Sequence, residues 1–387
     1  MNIVEYIENR GDLSLNTDPF NEVDNLVISY AIYSKIDSYF EKKKTYTVKQ
    51  LSKAFFKDHT IKEIEEDHSF IGQAPFILKA MAESNRFQNA IIKNFVSTID
   101  EENAEQFCSY EMVLDDGTSY IAFRGTDDSL IGWKESLSLS FKEVSGERKA
   151  VEYLKKYIKK DHKYRIGGHS KGGTLAIYGA LLVPELHSNI INVYSNDGPG
   201  LNPAILPKNY HDNFETLKGK YIKIIPEYDF FGVIFSSTRK KIVIKSDAFA
   251  LMQHDGMTWQ IKGNKFVRGT LNKESQYNRK AFNDFLRSID KEQRKQFIDE
   301  FYNACTEKGI DSVDGILRGI VPIMFAALTN FSKMSDESKE AASKLIEVFA
   351  TQYKNMIIDD TISFTENTKK KAINMIKKIG DRFDIEK

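Results

Sequence analysis

The chain has 387 residues, of which 41% are hydrophobic, 12% aromatic and 28% charged, a length of two to three domains at about 150 residues each. Its 26 Phe and 18 Tyr exclude a disordered chain, which carries few aromatics. Lys plus Arg and Asp plus Glu both number 55, so the formal net charge is zero. The basic excess that marks a nucleic-acid binder is missing, and no nucleic-acid partner is expected.

Taken in chain order, residues 1 to about 65 are mixed and polar. One amphipathic run spans Glu22 to Phe40, with Val23, Leu26, Val27, Tyr30, Ala31 and Tyr33 at helical spacing. The N-terminus, Met1 to Arg10, lacks the basic-then-apolar order of a signal peptide, so a soluble, cytoplasmic protein is expected. From about 70 to 270, β-branched and aromatic runs alternate with helical patterns. Strands are predicted at 119–123, 164–167, 190–194, 221–225 and 241–244, and helices at 145–160 and 172–182. That alternation predicts an α/β fold with a mainly parallel sheet. From about Glu274 onward the pattern is helical: 279–289, 292–305, 313–328, 336–356 and 365–379. The organisation expected is an N-terminal helical segment (1–65) packing on the core, the core itself (66–273) and a C-terminal helical region (274–387).

Within the core, Tyr164 to Ala176 contains Gly168-His169-Ser170-Lys171-Gly172, a G-x-S-x-G match. The match alone is weak, but it follows a strand and opens a helix, as a nucleophile elbow requires. Glycines on both flanks let the backbone turn sharply and push the Ser170 hydroxyl out at the sheet's C-terminal edge. The same turn aims the Lys171 amide at a developing oxyanion, aided by the positive end of the helix.

A nucleophilic serine needs a base, and the base needs an orienting acid, in the order Ser, acid, His on this type of sheet. After Ser170 the histidines are His187, His211 and His254. The first two come too early, which leaves His254, in a polar loop beyond the last predicted strand. Three acids compete. Asp229 follows the second strand after the nucleophile and is the first choice on the ordering rule; Asp197, in an Asp-Gly turn, is the alternative, and Glu227 is third. A second oxyanion amide belongs in Ile121 to Asp128, where Gly125 permits a tight turn and Thr126 supplies the donor; Arg124 reads as a structural cation that pairs a carboxylate.

Ala122-Phe-Arg-Gly-Thr126, then Trp133, then Gly-His-Ser-x-Gly-Gly resembles the class 3 (fungal-type) lipases, with Lys171 where most of those enzymes have Leu. Gly168-His-Ser-Lys-Gly-Gly173, with Pro19 to Leu26 upstream and Gln253-His-Asp255 downstream, resembles more closely the Mbeg-like family of bacterial α/β-hydrolases. The resemblance covers about residues 15 to 265. It implies an α/β-hydrolase core, a Ser170, Asp229, His254 triad and an oxyanion hole of the Thr126 and Lys171 amides. It supplies no substrate, and the charged Lys171 side chain should face solvent or pair with an acid.

The reaction expected is hydrolysis of a carboxylic ester, of an acyl lipid or similar apolar compound. Amide hydrolysis or acyl transfer by the same triad is the alternative, as is a non-catalytic interaction protein on a hydrolase fold. No cofactor is expected, since no metal or nucleotide motif occurs. Cys108 and Cys305 lack metal-ligand spacing and read as buried free thiols. The apolar segments 230–235 and 248–252 flank two proposed triad members and could line an acyl pocket or belong to the core. The basic amphipathic run 365–383 suits either a contact with an anionic membrane surface or packing on the core. The helical tail could also be a protein-binding surface. Ile316 to Leu328, interrupted by Arg318, is too short to cross a bilayer.

Overall fold

The computed structural model describes residues 1–307 except 68, 70, 101–104, 128–134, 136, 137, 139–142, 203–205, 209, 230, 231 and 233–240; beyond them it describes 309, 340–342 and 344. Six helices occupy the first part: α1 (Ile3–Arg10), α2 (Glu22–Ala31), α3 (Asp37–Lys42), α4 (Val48–Asp58), α5 (Ile61–Glu66) and α6 (Ala74–Glu83). The run expected as one amphipathic unit is therefore two helices, and Lys35 between them sits at φ 54, a left-handed conformation that ends helical continuity. Asn21 caps α2 by accepting from the Val23 and Asp24 amides, while Asp24 returns a bond to the Asn21 amide.

The strands are β1 (Tyr46–Thr47), β2 (Ile91–Asp100), β3 (Glu105–Val113), β4 (Ser119–Phe123), β5 (Tyr164–His169), β6 (Ile190–Asn196), β7 (Tyr221–Pro226) and β8 (Ile242–Ile244), in one sheet in sequence order. β1 to β4 pair antiparallel and β4 to β8 pair parallel. The crossover helices are α7 (Ser145–Tyr157), α8 (Lys171–Leu181) and α9 (Tyr210–Leu217). Crossovers of one hand that always advance in one direction put their helices on one face of the sheet. Accordingly Ile121 and Phe123 of β4 share a buried cluster with Ala150, Leu154, Leu175 and Leu217. Their alternates Tyr120 and Ala122 point the other way and pack with Tyr6, Leu26, Val27 and Ile77. The N-terminal helices thus pack on the second face of the sheet, joined there by Trp259, Ile261 and Phe266.

A small hairpin, β9 (Ile261–Lys262) and β10 (Lys265–Phe266), follows the sheet. Two helices, α10 (Lys273–Ser288) and α11 (Lys291–Glu307), come next and pack through Phe285 and Phe297, whose ring centroids are 5.0 Å apart. The helices expected at 313–328, 336–356 and 365–379 lie outside the described residues or in their scattered remainder. No helix among the described residues is long and apolar enough to cross a membrane. Cys108 and Cys305 are free and buried.

Candidate active site

β5 ends at His169, and Ser170 carries the chain into α8 at φ 55 and ψ −130, a strained conformation for a residue with a side chain. The flanking glycines make that turn sterically allowed. A Cβ on Gly168 would lie 2.4 Å from the Gly172 carbonyl carbon and 2.5 Å from the Phe123 carbonyl oxygen; one on Gly172 would lie 2.1 Å from the same oxygen. The turn is held by Ser170 N–H donating to the Asn196 carbonyl (2.9 Å) and Gly173 N–H donating to the Ser170 carbonyl (2.9 Å). Ser170 is half-buried, and no residue among those described hydrogen-bonds its hydroxyl.

The loop after β4 lies against this turn. The Cβ position of Gly125 falls 3.3 Å from Ser170 Cβ, which puts Thr126 one residue from this contact. Arg124 fixes the loop by donating Nη1 and Nη2 to the two carboxylate oxygens of Asp37, at 2.8 and 3.1 Å, the structural role expected of it. Lys171 turns its side chain inward rather than to solvent. Its ammonium is 2.7 Å from Glu135 Oε2 and also donates to the carbonyl and side-chain oxygens of Gln106. Trp133 lies outside the described residues.

His254 sits in a short 3₁₀ turn, Ala250–His254, whose position is set by α2. Tyr30 donates its hydroxyl to Asp255 Oδ1 (3.0 Å) and accepts the Gly256 amide (2.7 Å). His169 Nε2 donates to the His254 carbonyl at 2.8 Å, and the two rings lie tilted at 40° with centroids 4.6 Å apart. A carbonyl only accepts, so His169 carries its proton on Nε2. Burial drives His169 well below the ordinary histidine range, which keeps it neutral. His169 is a neighbour of the site that chain order does not point to, because it precedes the serine.

The acid beside His254 is Asp197. His254 Nδ1 donates to Asp197 Oδ2 at 2.5 Å, which leaves Nε2 as the basic nitrogen. The expectation that Asp229 fills this place is corrected by the geometry. Asp197 leaves the end of β6, next to β5, in a left-handed turn at φ 50 that an aspartate tolerates, and this brings its carboxylate under the imidazole. Asp229 stands one strand farther out, behind Asp197; one of its oxygens accepts the Gly232 amide at 2.7 Å. Its backbone amide donates to Ser275 Oγ of α10 at 2.9 Å, tying the C-terminal helices to the site. Glu227, the third choice, instead accepts the Thr270 amide at 3.0 Å. Burial pushes Asp197 up to about 7 and His254 down to about 4, and drives Asp229 well above the usual carboxylate range.

A Ser at a glycine-flanked strand-to-helix turn, an amide-bearing loop against it and a neutral histidine backed by a buried carboxyl form a constellation suited to acyl transfer. Among the described residues no cluster suited to holding a metal ion occurs. A search among curated proteins finds no match to the chain. The Mbeg1-like family profile matches residues 81–303. That span takes in every residue of this constellation and also α10 and α11 as far as residue 303, which the resemblance read from the motifs had left outside or at its edge. The chain belongs to the Mbeg1-like family.

Proposed function

We propose that the protein is a serine hydrolase of the α/β-hydrolase type, related to the class 3 lipases, that cleaves a carboxylic ester. The observation that carries this reading is the pairing of the strained Ser170 turn with a His254 whose Nδ1 is tied to Asp197 at 2.5 Å. Ser170 Oγ attacks the acyl carbon while His254 Nε2 takes its proton. The amides of Lys171 and Thr126 receive the oxyanion of the tetrahedral intermediate. Collapse expels the alcohol, which takes the proton back from His254, and a water activated by the same nitrogen then releases the acid. The open Ser170 hydroxyl fits a site whose Ser–His bond closes when substrate arrives, because catalytic hydrogen bonds tighten in the Michaelis complex.

An apolar acyl chain is the substrate class favoured here. Phe249 is 41% exposed and stacks beside Tyr228 with centroids 6.4 Å apart, next to the turn that holds His254. Of the two apolar segments read from the sequence, 230–235 lies, apart from Gly232, outside the described residues. Ester rather than amide turnover, and a soluble cytoplasmic setting, belong to the same proposal.

Fluorophosphonate labelling of the purified chain tests the reading. Label on Ser170, lost in Ser170→Ala, is the expected result. A folded wild type that takes no label, or a Ser170→Ala variant that still hydrolyses esters at the wild-type rate, would overturn it.

A further inference from the structure

Two buried carboxyl oxygens at the site have no N–H or O–H donor among the described residues: Asp197 Oδ1 and Asp229 Oδ2. They face the same point. A Cβ built on Gly232 would fall 2.5 Å from the first and 2.9 Å from the second, and the two carboxyl groups are hydrogen-bond neighbours. Two carboxylates cannot both accept across such a contact, and two ionised ones side by side in a dry interior repel strongly. A proton between them satisfies both orphan oxygens at once.

The buried charges point the same way. Asp197 and Asp229 are fully buried, Lys223 is 4% exposed and His254 is 9% exposed. The Lys223 ammonium donates to the Gly198 carbonyl at 2.7 Å, next to the carboxyl pair. With His254 neutral, among the described buried residues one ammonium balances one carboxylate, and a second ionised carboxylate would be a buried charge without compensation there. The proton belongs on Asp229. Asp197 already accepts the His254 N–H on its other oxygen, whereas Asp229 has only the Gly232 amide.

We propose that Asp229 is a positioning residue held as a neutral carboxylic acid, donating its O–H to Asp197 so that Asp197 stays ionised and aligned beneath His254. The proposal rests on the reading of Ser170 and His254 as a hydrolytic pair for its effect on rate, but not for its chemistry. No atom leaves: one proton is shared, and Asp229 never touches the ester. Glycine at position 232 follows from the same arrangement, since any side chain there would wedge the two acids apart.

Two measurements on the full chain test it. The first is the rate of fluorophosphonate labelling in Asp229→Asn and Asp229→Ala. The amide of Asn can donate where the acid did, so Asp229→Asn should recover most of the wild-type rate. Asp229→Ala should fall by about tenfold or more, as expected when a buried charge loses a hydrogen bond. Equal losses in the two variants would overturn the proposal, as would an Asp229→Asn variant slower than Asp197→Asn, since Asp229 would then be the acid that acts on His254.

The second measurement is infrared spectroscopy at neutral pH. The wild-type minus Asp229→Asn difference should contain the carbonyl stretch of a neutral carboxylic acid, and so should the same difference taken in a Ser170→Ala background. Aspartate-specific carbon-13 labelling of the wild type assigns the band to aspartic acid rather than glutamic acid, and the Asp229→Asn difference assigns it to Asp229. Absence of a neutral aspartic acid band overturns the proposal. A band present in a protein whose Ser170 never labels would sustain the neutral acid while removing the hydrolase reading, so the two failures are distinguishable.

Discussion

His254 Nδ1 and Asp197 Oδ2 lie 2.5 Å apart across 57 residues of chain, and this contact fixes which histidine nitrogen is free. An N–H on Nδ1 leaves Nε2 unprotonated, the tautomer a general base needs. Asp197→Asn keeps the volume but presents an amide that can reverse the tautomer. The expected outcome is a loss of about four orders of magnitude in ester turnover, with an unchanged far-ultraviolet circular dichroism spectrum. A variant that keeps a tenth or more of the wild-type turnover would show that the contact does not orient the base.

Because His254 is held down to about 4 by burial, it is neutral across the range in which an exposed histidine would titrate. The acid limb of kcat/KM should therefore lie below the ordinary histidine value, the ionised Asp197 against Nδ1 drawing it back up only in part. An acid limb centred at the ordinary value would mean that the imidazole is solvated. The measurement is a kcat/KM profile on a soluble ester whose own hydrolysis is negligible in that range.

Much of this site was readable from residue types, and the unread part has identifiable causes. The β5–Ser170–α8 unit was legible because two steric requirements, Gly168 and Gly172 against the Phe123 carbonyl, leave a mark in the sequence. His254 was legible because chain order eliminated its rivals. The choice between Asp197 and Asp229 was not, since an aspartate follows both β6 and β7 and only the lateral position of each strand decides which one reaches the imidazole. β3 escaped prediction for another reason. Glu105, Gln106, Ser109 and Glu111 are all buried, paired to Lys149, Lys171, the Ala122 carbonyl and Ser119, and polar residues with buried partners erase the alternation that announces a strand. The weight of the N-terminal helices was hidden similarly: α2 buries Asp24, Asn25 and Ser29 beside its apolar residues, so its amphipathic stripe understates how much of it is core.

Gly172 is the position where a single methyl group should be least tolerated. The offending atoms are backbone, the Phe123 carbonyl oxygen at 2.1 Å and its carbon at 2.9 Å, so no side chain can move aside. Gly172→Ala must separate α8 from β4. It is expected to destabilise by about 4 kcal/mol or more, in the range reserved for backbone and packing failures, read from urea unfolding. Ser170 labelling should fall with it, because the same turn holds the proposed nucleophile.

The Lys171–Glu135 pair makes a different prediction, since both side chains are almost fully buried, at 1% and 2% exposure. Glu135 also accepts the Gln106 and Gly146 amides, at 3.1 and 3.0 Å, so Lys171→Met leaves a buried carboxylate with backbone donors but no cation. Breaking one side of such a pair costs about 3–5 kcal/mol. Replacing both, as Lys171→Met with Glu135→Gln, should restore part of that loss, because the uncompensated charge disappears with the second change. Urea unfolding of the two single variants and the double variant checks this, and a double variant no more stable than Lys171→Met would show that the charge is not what destabilises.

Glu147 supplies a pH test away from the reactive groups. Its carboxylate caps α7 by accepting the Val144 amide at 3.0 Å, yet burial pushes it up to about 8. The unfolded chain releases this proton near the ordinary value of about 4.3, whereas the folded chain keeps it to about 8. Between those limits the native state binds more protons than the unfolded one, so this residue makes stability fall as pH rises, by at most ~1.4 kcal/mol per pH unit for one proton. Glu147→Gln removes the titration while keeping a hydrogen-bond acceptor for the helix cap. Its melting temperature should therefore decline less steeply than that of the wild type between pH 5 and pH 8, and the two curves should separate most at the alkaline end, with the variant the more stable. Parallel curves across that interval would show that Glu147 is ionised in the folded protein and that solvent or a cation reaches it.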